Sequence, residues 1–553
     1  MAKCLNEGYR MKHWISIQLI SLLFSASPLI ASGTAYYLSS SSGNDSGEGT
    51  PSSPWKSLSR INSTKLKPGD EIYFKKNDRF DGRFVLNGSG TKDQPIRITS
   101  YGEGPLPVIT GHSDGGDFQE AVYVLNNDNI VFDRLEIQNE RTRSRSGVKD
   151  DDAYGLHVHN TGGRVMKNII VRNMVFKNVY AVKPMLNPDD FDGIEVAGIR
   201  FSSSRNRRGH PPKNIRNILV EDCLFSDIQR LGIHIKHSGS QDGARDPINH
   251  NENVIVRNNE FHHLGGTSVL PIRTYNCLIE NNLFNHPGSS KDSRMPGRGS
   301  SVWTWRCVNT VIQRNTCLST RGYLDSHGIH IDHENINTFV QYNYMEDCEG
   351  GFVEILGGNS NAVYRFNISV NDGWRDNPNW GSSNHTLWIN NVGPGKKEHH
   401  CTHSYIYNNT VFMDRDFSTA IEMNAKNTFI YNNLFVNEGG GEIGGKRVMV
   451  KNNDTPLFLK NNLYSGGINS EFTDMDSDPV MAEPMFSGSG EGAERFRLAV
   501  NSPAKHAGVP VAGPPIPGAG KGVFKHLPPY PTEDYFGNPI DLSRGTPTLG
   551  AGK

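Results

Sequence analysis

Two acidic residues, Asp332 and Glu354, have the type and spacing that could do chemistry on a sugar. Each lies in a short segment that alternates apolar and polar residues, and each falls on the polar side of that alternation. Twenty-two residues separate them, which fits one turn of a repeating structure. If such turns stack about 4.8 Å apart, the two carboxylates would be roughly 5–5.5 Å apart, a separation typical of retaining glycosidases.

The same alternation recurs along the chain, so these acids belong to a longer series of strands. The segments are AVYVLN (121–126), GLHVHN (155–160), GIEVAG (193–198), GIHIKH (232–237), SVLPIR (268–273), SVWTWR (301–306), GIHIDH (328–333), GFVEIL (351–356), TLWINN (386–391) and AIEMNA (420–425). The positions predicted to face inward are apolar: Ile194, Ile233, Val302, Ile329, Ile331, Val353, Leu387 and Ile421. The positions predicted to face outward form one stripe: His157, His159, Glu195, His234, Lys236, Trp303, Trp305, His330, Asp332, Phe352, Glu354, Trp388, Asn390, Glu422 and Asn424.

Histidine, acid and tryptophan are concentrated on this stripe, whereas a merely solvated face would carry mixed small polar residues. Aromatic rings on an open groove suit the apolar faces of sugar rings, and charged or amide groups suit their hydroxyls. We therefore predict substrate binding by Glu195, His234, Lys236, Arg273, Trp303, Trp305 and Trp388. The alternative is that loops cover the three tryptophans, which then serve packing.

A second pattern, the Asn box, follows these strands and predicts how they are arranged. It reads Asn, three mostly apolar residues, two variable residues and Asn, as in NVIVRNN (253–259) and NTFVQYN (337–343), and with its variants it occurs eleven times at intervals of 23 to 49 residues. The apolar triplet suits a strand, and the closing Asn suits a tight bend in αL geometry. Stacked coils would bring these amides into a ladder. We predict an all-β, right-handed parallel β-helix with eleven or more coils.

Counting back from the Asn box places Glu354 level with His330, not with Asp332. The extra glycine pair before Asn359 could absorb that slip. We also predict that His330 or His327 orients or polarises a catalytic carboxylate.

Composition and the chain ends bound the remaining organisation. Only 35% of the 553 residues are hydrophobic, which suits a thin solenoid core, and the net charge of −1 without a polybasic tract argues against nucleic acid as a partner. An apolar run from 14 to 30, preceded by Lys12 and His13, predicts a signal peptide over 1–33, with Met11 as an alternative start. We expect a secreted or periplasmic monomer without a membrane span. Its predicted parts are an N-terminal cap with the first coils (34–120), the β-helix with its groove (121–466) and an extended C-terminal cap (467–553).

Six cysteines remain after the predicted signal peptide: Cys223, Cys277, Cys307, Cys317, Cys348 and Cys401. They could form disulfides or remain buried and unpaired. No metal site is predicted, and HHCTH (399–403) is interpreted as a turn. No cofactor is required by the sequence. Calcium could bind through Asp189, Asp190 and Asp192, although a solvated turn is the favoured interpretation of that loop.

Several longer segments resemble those of exported bacterial β-helix carbohydrate-active enzymes. They are YYLSSSSGNDSGEGTPSSPWKSL (36–58), LKPGDEIYFKK (66–76), PIRITSYGEGPLPVITG (95–111), SPAKHAG (502–508) and DYFGNPI with TPTLGA (534–551). The segment 325–355 resembles the catalytic stretch of β-helix glycoside hydrolases of the β-xylosidase and α-fucosidase type, in the pectate-lyase-like superfamily. That resemblance implies that Asp332 is the nucleophile and Glu354 the acid/base. His330 and His333 around the Asp depart from the pattern.

These observations predict a polysaccharide-degrading enzyme, a retaining glycoside hydrolase acting on a plant or algal polysaccharide, with Asp332, Glu354 and His330 at its centre. One alternative is a polysaccharide lyase or epimerase, in which Lys236, His234, Arg273 or His330 would supply the base or the cation, or calcium would replace it. The second alternative is a non-catalytic glycan-binding β-helix.

Overall fold

The computed structural model describes residues 33–207, 209–239, 248–324, 326–375, 377, 384–393, 397–451, 457–511, 513–540 and 547–553. Within them the chain winds through three long parallel sheets, which we call A, B and C, and each coil contributes strands in the order A, C, B. The predicted all-β, right-handed parallel β-helix is confirmed.

Sheet A has 14 strands. The first three, Ala35–Leu38, Glu71–Lys75 and Ile96–Tyr101, carry no Asn box, and the other eleven are the strands of the Asn boxes: Ile130–Asp133, Met166–Arg172, Ile215–Glu221, Asn251–Arg257, Thr274–Glu280, Val308–Gln313, Ile336–Gln341, Ser360–Arg365, Thr402–Tyr407, Lys426–Tyr431 and Leu457–Lys460. Sheet B has 12 strands. Ten are the alternating segments: Glu120–Leu125, Asp152–Asn160, Glu195–Ser203, Leu231–His237, Val269–Ile272, Val302–Thr304, Ile329–Ile331, Gly351–Ile355, His385–Ile389 and Ala420–Met423; Phe84–Leu86 and Arg447–Val450 flank them.

Sheet C, of 14 strands, comprises Arg79–Asp81, Val108–Thr110, Glu136–Glu140, Val175–Tyr180, Leu224–Ile228, Glu260–His262, Leu283–Asn285, Thr316–Leu318, Tyr344–Glu346, Ile368–Val370, Thr410–Met413, Leu434–Asn437, Leu463–Gly466 and Val480–Met481. The short α-helices are Leu58–Asn62 and Ser470–Thr473, and the 3₁₀ helices are Pro188–Asp192, Gly492–Phe496 and Gly522–Phe524. None of the helices in the described part of the chain is long and apolar enough to span a membrane.

The core is a narrow column between the three sheets. The inward-facing side chains of the strands in each coil fill it. All eight positions predicted to face inward lie in it. Equivalent residues of successive coils stack on one another; the rings of Phe176, Phe225 and Phe261 do so at centroid distances of 5.1 and 4.6 Å. Phe352, predicted to face outward, instead packs in this core against Tyr364.

The Asn boxes build two amide ladders along the stack. The closing Asn residues form a buried ladder in which each side-chain amide donates to the carbonyl of the next, at 2.9–3.0 Å, through Asn259, Asn282, Asn315, Asn343, Asn367, Asn409, Asn433 and Asn462. The opening Asn residues form a second ladder closer to solvent. The αL geometry predicted for the closing Asn falls instead on the opening Asn and on the residue before the closing one, such as Asn253 and Asn258.

The C-terminal segment closes the end of the column and then returns along its side. Phe472, on the helix Ser470–Thr473, packs edge-on against Phe435 and Tyr464 of the last coils. Residues beyond it cover the outer faces of sheets C and A, where Leu549 and Phe524 join two separate apolar clusters. The six cysteines are all free and buried.

Candidate active site

Strand register aligns one row of side chains on the outer face of sheet B, which we call the central row. From one coil to the next it runs through Tyr123, His157, Arg200, His234 and Leu270, and further along the sheet through Trp303, His330, Glu354, Trp388 and Glu422. Seven residues of the predicted stripe therefore lie in one register.

Glu354 is buried between two imidazoles at the centre of this row. Its Oε2 lies 2.5 Å from Nδ1 of His327 and its Oε1 lies 3.3 Å from Nε2 of His330. None of the three side chains is more than 1% exposed. Gly350 makes room for His327, because a Cβ at that glycine would lie 2.5 Å from His327 Nδ1. A carboxylate held this way fixes the orientation of both rings.

Asp332 follows the strand Ile329–Ile331 directly and is held by its side chain and its backbone. Its Oδ2 accepts a 2.5 Å hydrogen bond from Nε1 of Trp303, and its Oδ1 accepts the backbone N–H of His333 at 2.7 Å. The side-chain amides of Asn335 and Asn359 donate to its main-chain carbonyl at 2.7 and 2.6 Å. The carboxylate is therefore preorganised before any ligand binds.

Asp332 and Glu354 do not lie at the same level. His330 pairs with Glu354, as the count from the Asn box predicted, so Asp332 lies two residues further along its strand direction. That offset corresponds to about 6.6 Å along the strands. The expectation that the glycine pair before Asn359 brings Glu354 level with Asp332 is wrong. The two carboxylates do not lie side by side, so the basis for a separation of roughly 5–5.5 Å is absent.

The tryptophans of the predicted stripe differ in exposure. Trp303 is only 8% exposed, because Phe191 from the helix Pro188–Asp192 stacks over it at 6.0 Å. The prediction of an exposed ring is thus wrong for Trp303, and the alternative that a loop covers it is confirmed. Trp305 and Trp388 are half-buried. Trp305 meets His333 edge-on beside Asp332, and Trp388 stacks on His385 at 4.7 Å.

A charged cluster occupies sheet B three to four coils before Asp332. Glu195 lies 2.6 Å from Arg200, 3.4 Å from Lys236 and 3.6 Å from His234. Burial alone would raise the pKa of Glu195, but the groups around it, Arg200 above all, hold it well below its ordinary value. Burial and the neighbouring Arg200 keep the pKa of His234 well below its ordinary value. This cluster therefore presents a fixed anion, fixed cations and a neutral imidazole.

Four residues of the predicted binding set lie off the central row: Lys236 and Trp305, two residues further along the chain than its members, and Glu195 and Arg273. Glu195 pairs with Asp152, five residues before His157, and Arg200 occupies the row in its place. Arg273 is 3% exposed and lies at the corner after Val269–Ile272, with its guanidinium under Gly239. Binding by any of the four stays a prediction.

The loop considered for calcium has local roles. Asp190 accepts the backbone N–H groups of Leu186 and Asn187, and Asp192 lies 4.0 Å from Arg230. Over the described ranges, no group of three His, Cys, Asp or Glu side chains is placed to hold a metal ion. In HHCTH, Cys401 is buried, and the strand Thr402–Tyr407 begins one residue later.

Sequence reasoning missed the residues that support the site. Arg200 donates to the Tyr154 hydroxyl at 2.7 Å, and its position follows only from strand register. Asn335 and Asn359 could have been found, because each stands two residues before the opening Asn of a box. Phe191 gave no signal, since loop packing over a sheet depends on tertiary contacts.

Comparison with known proteins places the fold among carbohydrate-active enzymes. No protein-family model matches the chain. A lacto-N-biosidase from Bifidobacterium longum subsp. longum is 26% identical over 620 residues, which covers 94% of this chain and 36% of that protein. The chain thus spans about a third of the length of the curated relative it matches.

Two crystal structures of GH136 lacto-N-biosidase from Eubacterium ramulus, a selenomethionine derivative and the native protein, have the same β-helix fold. Their TM-scores are 0.55 and 0.54 at 18% identity, over 81% and 79% of this chain and 68% of each of those chains. The resemblance to β-helix carbohydrate-active enzymes that the sequence motifs indicated is confirmed.

Proposed function

We propose that this protein is a glycoside hydrolase whose reaction centre is Asp332 on the outer face of sheet B. Glycosidic hydrolysis needs a carboxylate beside the anomeric carbon, where positive charge develops in the transition state. Asp332 fits that role because three fixed groups hold it: the indole N–H of Trp303, the backbone N–H of His333 and the amides on its own carbonyl. The preorganised Asp332 carboxylate is the observation that carries the proposal.

Glu354 acts through the histidines in this proposal. Both of its oxygens face imidazole nitrogens, so neither is directed at a substrate in the state described. A buried carboxylate behind a histidine fixes the orientation of the ring. We therefore make Glu354 a positioning residue for His330, the ring that stacks on Trp303. The direct acid/base role that the resemblance implied for Glu354 stays a prediction.

Half-buried Trp305 and Trp388 are the sugar-contacting rings in this proposal, because they keep exposed surface on the same face. The retaining mechanism stays a prediction. Its support was the expectation that Asp332 and Glu354 lie at the same level of sheet B, and they do not. NMR detection of the anomer formed first tests it.

For the substrate, we infer a glycoside of the kind that the relative's name describes, a lacto-N-bioside. The support is the 26% identity that extends over 94% of this chain. A plant or algal polysaccharide, the class predicted from the sequence, has no support from the relatives found.

The deciding experiment incubates the full chain with 4-nitrophenyl lacto-N-bioside, lacto-N-biose-containing oligosaccharides, and plant and algal polysaccharides. We expect the wild type to release the disaccharide and Asp332→Asn to lose this activity. The exposed control Asp93→Asn should keep it. New reducing ends indicate hydrolysis, whereas products with the near-ultraviolet absorbance of a new double bond would indicate the lyase alternative. If no glycan in the panel is cleaved, the proposed function fails.

We also infer that the protein is exported, from the apolar N-terminal run and the signal-peptide pattern around it, and its monomeric state stays a prediction. Fractionation of cells expressing the chain with and without residues 1–33 tests export, and light scattering tests the oligomeric state. Retention of the complete chain in the cytoplasm would contradict export.

A further inference from the structure

Three side chains form a line of hydrogen bonds near the N-terminal end of sheet B, away from Asp332. Nε2 of His157 lies 2.8 Å from Oγ of Ser202, and its Nδ1 lies 3.3 Å from Oε1 of Glu120. The three residues come from three successive strands, Glu120–Leu125, Asp152–Asn160 and Glu195–Ser203. A hydroxyl, an imidazole and a carboxylate in this order are the parts of a nucleophile, a base and its orienting group.

Charge and burial set the protonation that such a unit needs. Burial raises the pKa of Glu120, but its bond to His157 and the charge of Arg83, 3.2 Å away, outweigh burial and leave the pKa below its ordinary value. An ionised carboxylate only accepts hydrogen bonds, so Nδ1 of His157 carries the proton and Nε2 accepts from Ser202. Burial lowers the pKa of His157, which keeps the ring neutral and able to take a proton.

The surroundings of Ser202 suit a reacting group. Ser202 is half-buried, whereas its neighbours Phe201 and Ser203 are buried, so its hydroxyl lies on the outer face. Lys236 is its register partner on the next strand, about 4.8 Å away in backbone spacing. The Lys236 ammonium pairs with Glu195, at 3.4 Å from Oε1. The His159 ring stacks on His157 at 4.9 Å and restricts its rotation.

We propose that Ser202, His157 and Glu120 form a second active site, which hydrolyses acyl esters such as O-acetyl groups on a glycan. The Ser202 oxygen attacks the acyl carbon while His157 takes its proton, and the bond to the sugar oxygen breaks. That oxygen leaves with the proton from His157. Water then attacks the Ser202 ester with His157 again as the base, which releases the carboxylic acid and restores the serine.

This activity goes beyond the proposed glycosidase and is separable from it. Asp332 lies five strands further along sheet B than His157, and no residue is shared between the two constellations. Deacylation on the same face would remove substituents that block sugar rings from the half-buried tryptophans.

The test treats the full chain with a fluorophosphonate probe and measures hydrolysis of 4-nitrophenyl acetate and of an O-acetylated oligosaccharide. We expect one labelled peptide containing Ser202, and a loss of about 10³-fold in ester hydrolysis in Ser202→Ala and His157→Gln. Glu120→Gln should lose less, about 10-fold to 100-fold, because it removes only the orienting charge.

Ser226→Ala, a half-buried serine on the sheet C strand Leu224–Ile228, is the matched control and should keep full activity. Asp332→Asn should still be labelled, so failure of the glycosidase proposal is distinguishable from failure of this one. Circular dichroism checks the fold of each variant. The proposal is overturned if the probe does not label Ser202, or if Ser202→Ala folds and hydrolyses both esters as the wild type does.

Discussion

Nε1 of Trp303 donates a 2.5 Å hydrogen bond to Oδ2 of Asp332, which joins the aromatic cluster under Phe191 to the carboxylate at the centre of the site. Trp303 also stacks on His330 with an interplanar angle of 2°. One indole thus contacts both the candidate nucleophile and the ring that Glu354 orients. The loop that carries Phe191 therefore stabilises the reaction centre through Trp303.

Trp303→Phe should reduce turnover while preserving the stacked ring. The variant loses a hydrogen bond to a charged group, worth about 1.5–3 kcal/mol, which corresponds to roughly 10-fold to 100-fold in kcat. Steady-state kinetics on a lacto-N-bioside would measure it. Trp305→Phe is the matched control, because among the described residues Nε1 of Trp305 has no hydrogen-bond partner. It should change KM more than kcat, and equal kcat losses in both variants would contradict the assignment.

The two carboxylates should respond differently to neutralisation. Asp332→Asn should lower kcat by about 10³-fold at every pH, because the charge beside the anomeric carbon is lost. Glu354→Gln should instead change the shape of the pH–rate profile and lower the free energy of unfolding by about 3 kcal/mol, because two buried histidines lose their anion. Exposed Glu103→Gln serves as the control. A Glu354→Gln enzyme with the wild-type pH profile would rule out positioning through His330.

The Asn boxes and the period-two alternation predicted eleven of the 14 strands of sheet A and ten of the 12 strands of sheet B, because each pattern repeats one local requirement. The box supplies an apolar strand and an amide at a fixed bend, and alternation supplies one inward face. The third sheet was not predicted, because its strands are mostly short; Thr316–Leu318, for example, has three residues. Three residues carry too little periodicity to be recognised.

The candidate site was predicted less completely, because it depends on register and on loops. The strand Glu195–Ser203 runs for nine residues, and its alternation alone did not show whether Glu195 or Arg200 lies beside His234. Burial of Trp303 depends on Phe191, which is more than 100 residues away in the chain. Such contacts are set by tertiary packing.

The buried Asn ladder should contribute more stability per residue than the outer one. Asn343 is fully buried, donates to Asn367 and to the carbonyl of Ile312, and accepts from Asn315. Asn343→Ala leaves these groups unpaired and should lower the free energy of unfolding by about 2–4 kcal/mol. Denaturant unfolding would measure the change. Asn337→Ala in the outer ladder is the comparison and should cost about 1–2 kcal/mol, chiefly because alanine must adopt its positive φ. Equal losses would contradict the distinction.

Asp372, a carboxylate outside the site, should make stability depend on pH. It is buried after the strand Ile368–Val370, where it accepts the backbone N–H of Cys348 at 2.8 Å and the hydroxyl of Ser369 at 2.7 Å. Burial raises its pKa from 3.8 to about 7, against the opposing effect of these hydrogen bonds. Between about pH 4 and pH 7 the folded chain therefore binds one more proton at this position than the unfolded chain does.

Because the folded state binds more protons in that window, the contribution of Asp372 to stability is full below pH 4 and is lost as the pH rises through 7. Asp372→Asn keeps the shape and does not titrate, and its amide can donate to the Ser369 hydroxyl. The Tm of this variant minus that of the wild type should therefore increase by a few degrees between pH 4 and pH 7. The difference should then stay constant up to pH 9. Calorimetry at fixed ionic strength would measure this, with exposed Asp93→Asn as the control. A Tm difference that does not change with pH would show that Asp372 is ionised throughout, which would mean that its two hydrogen bonds outweigh the cost of burial.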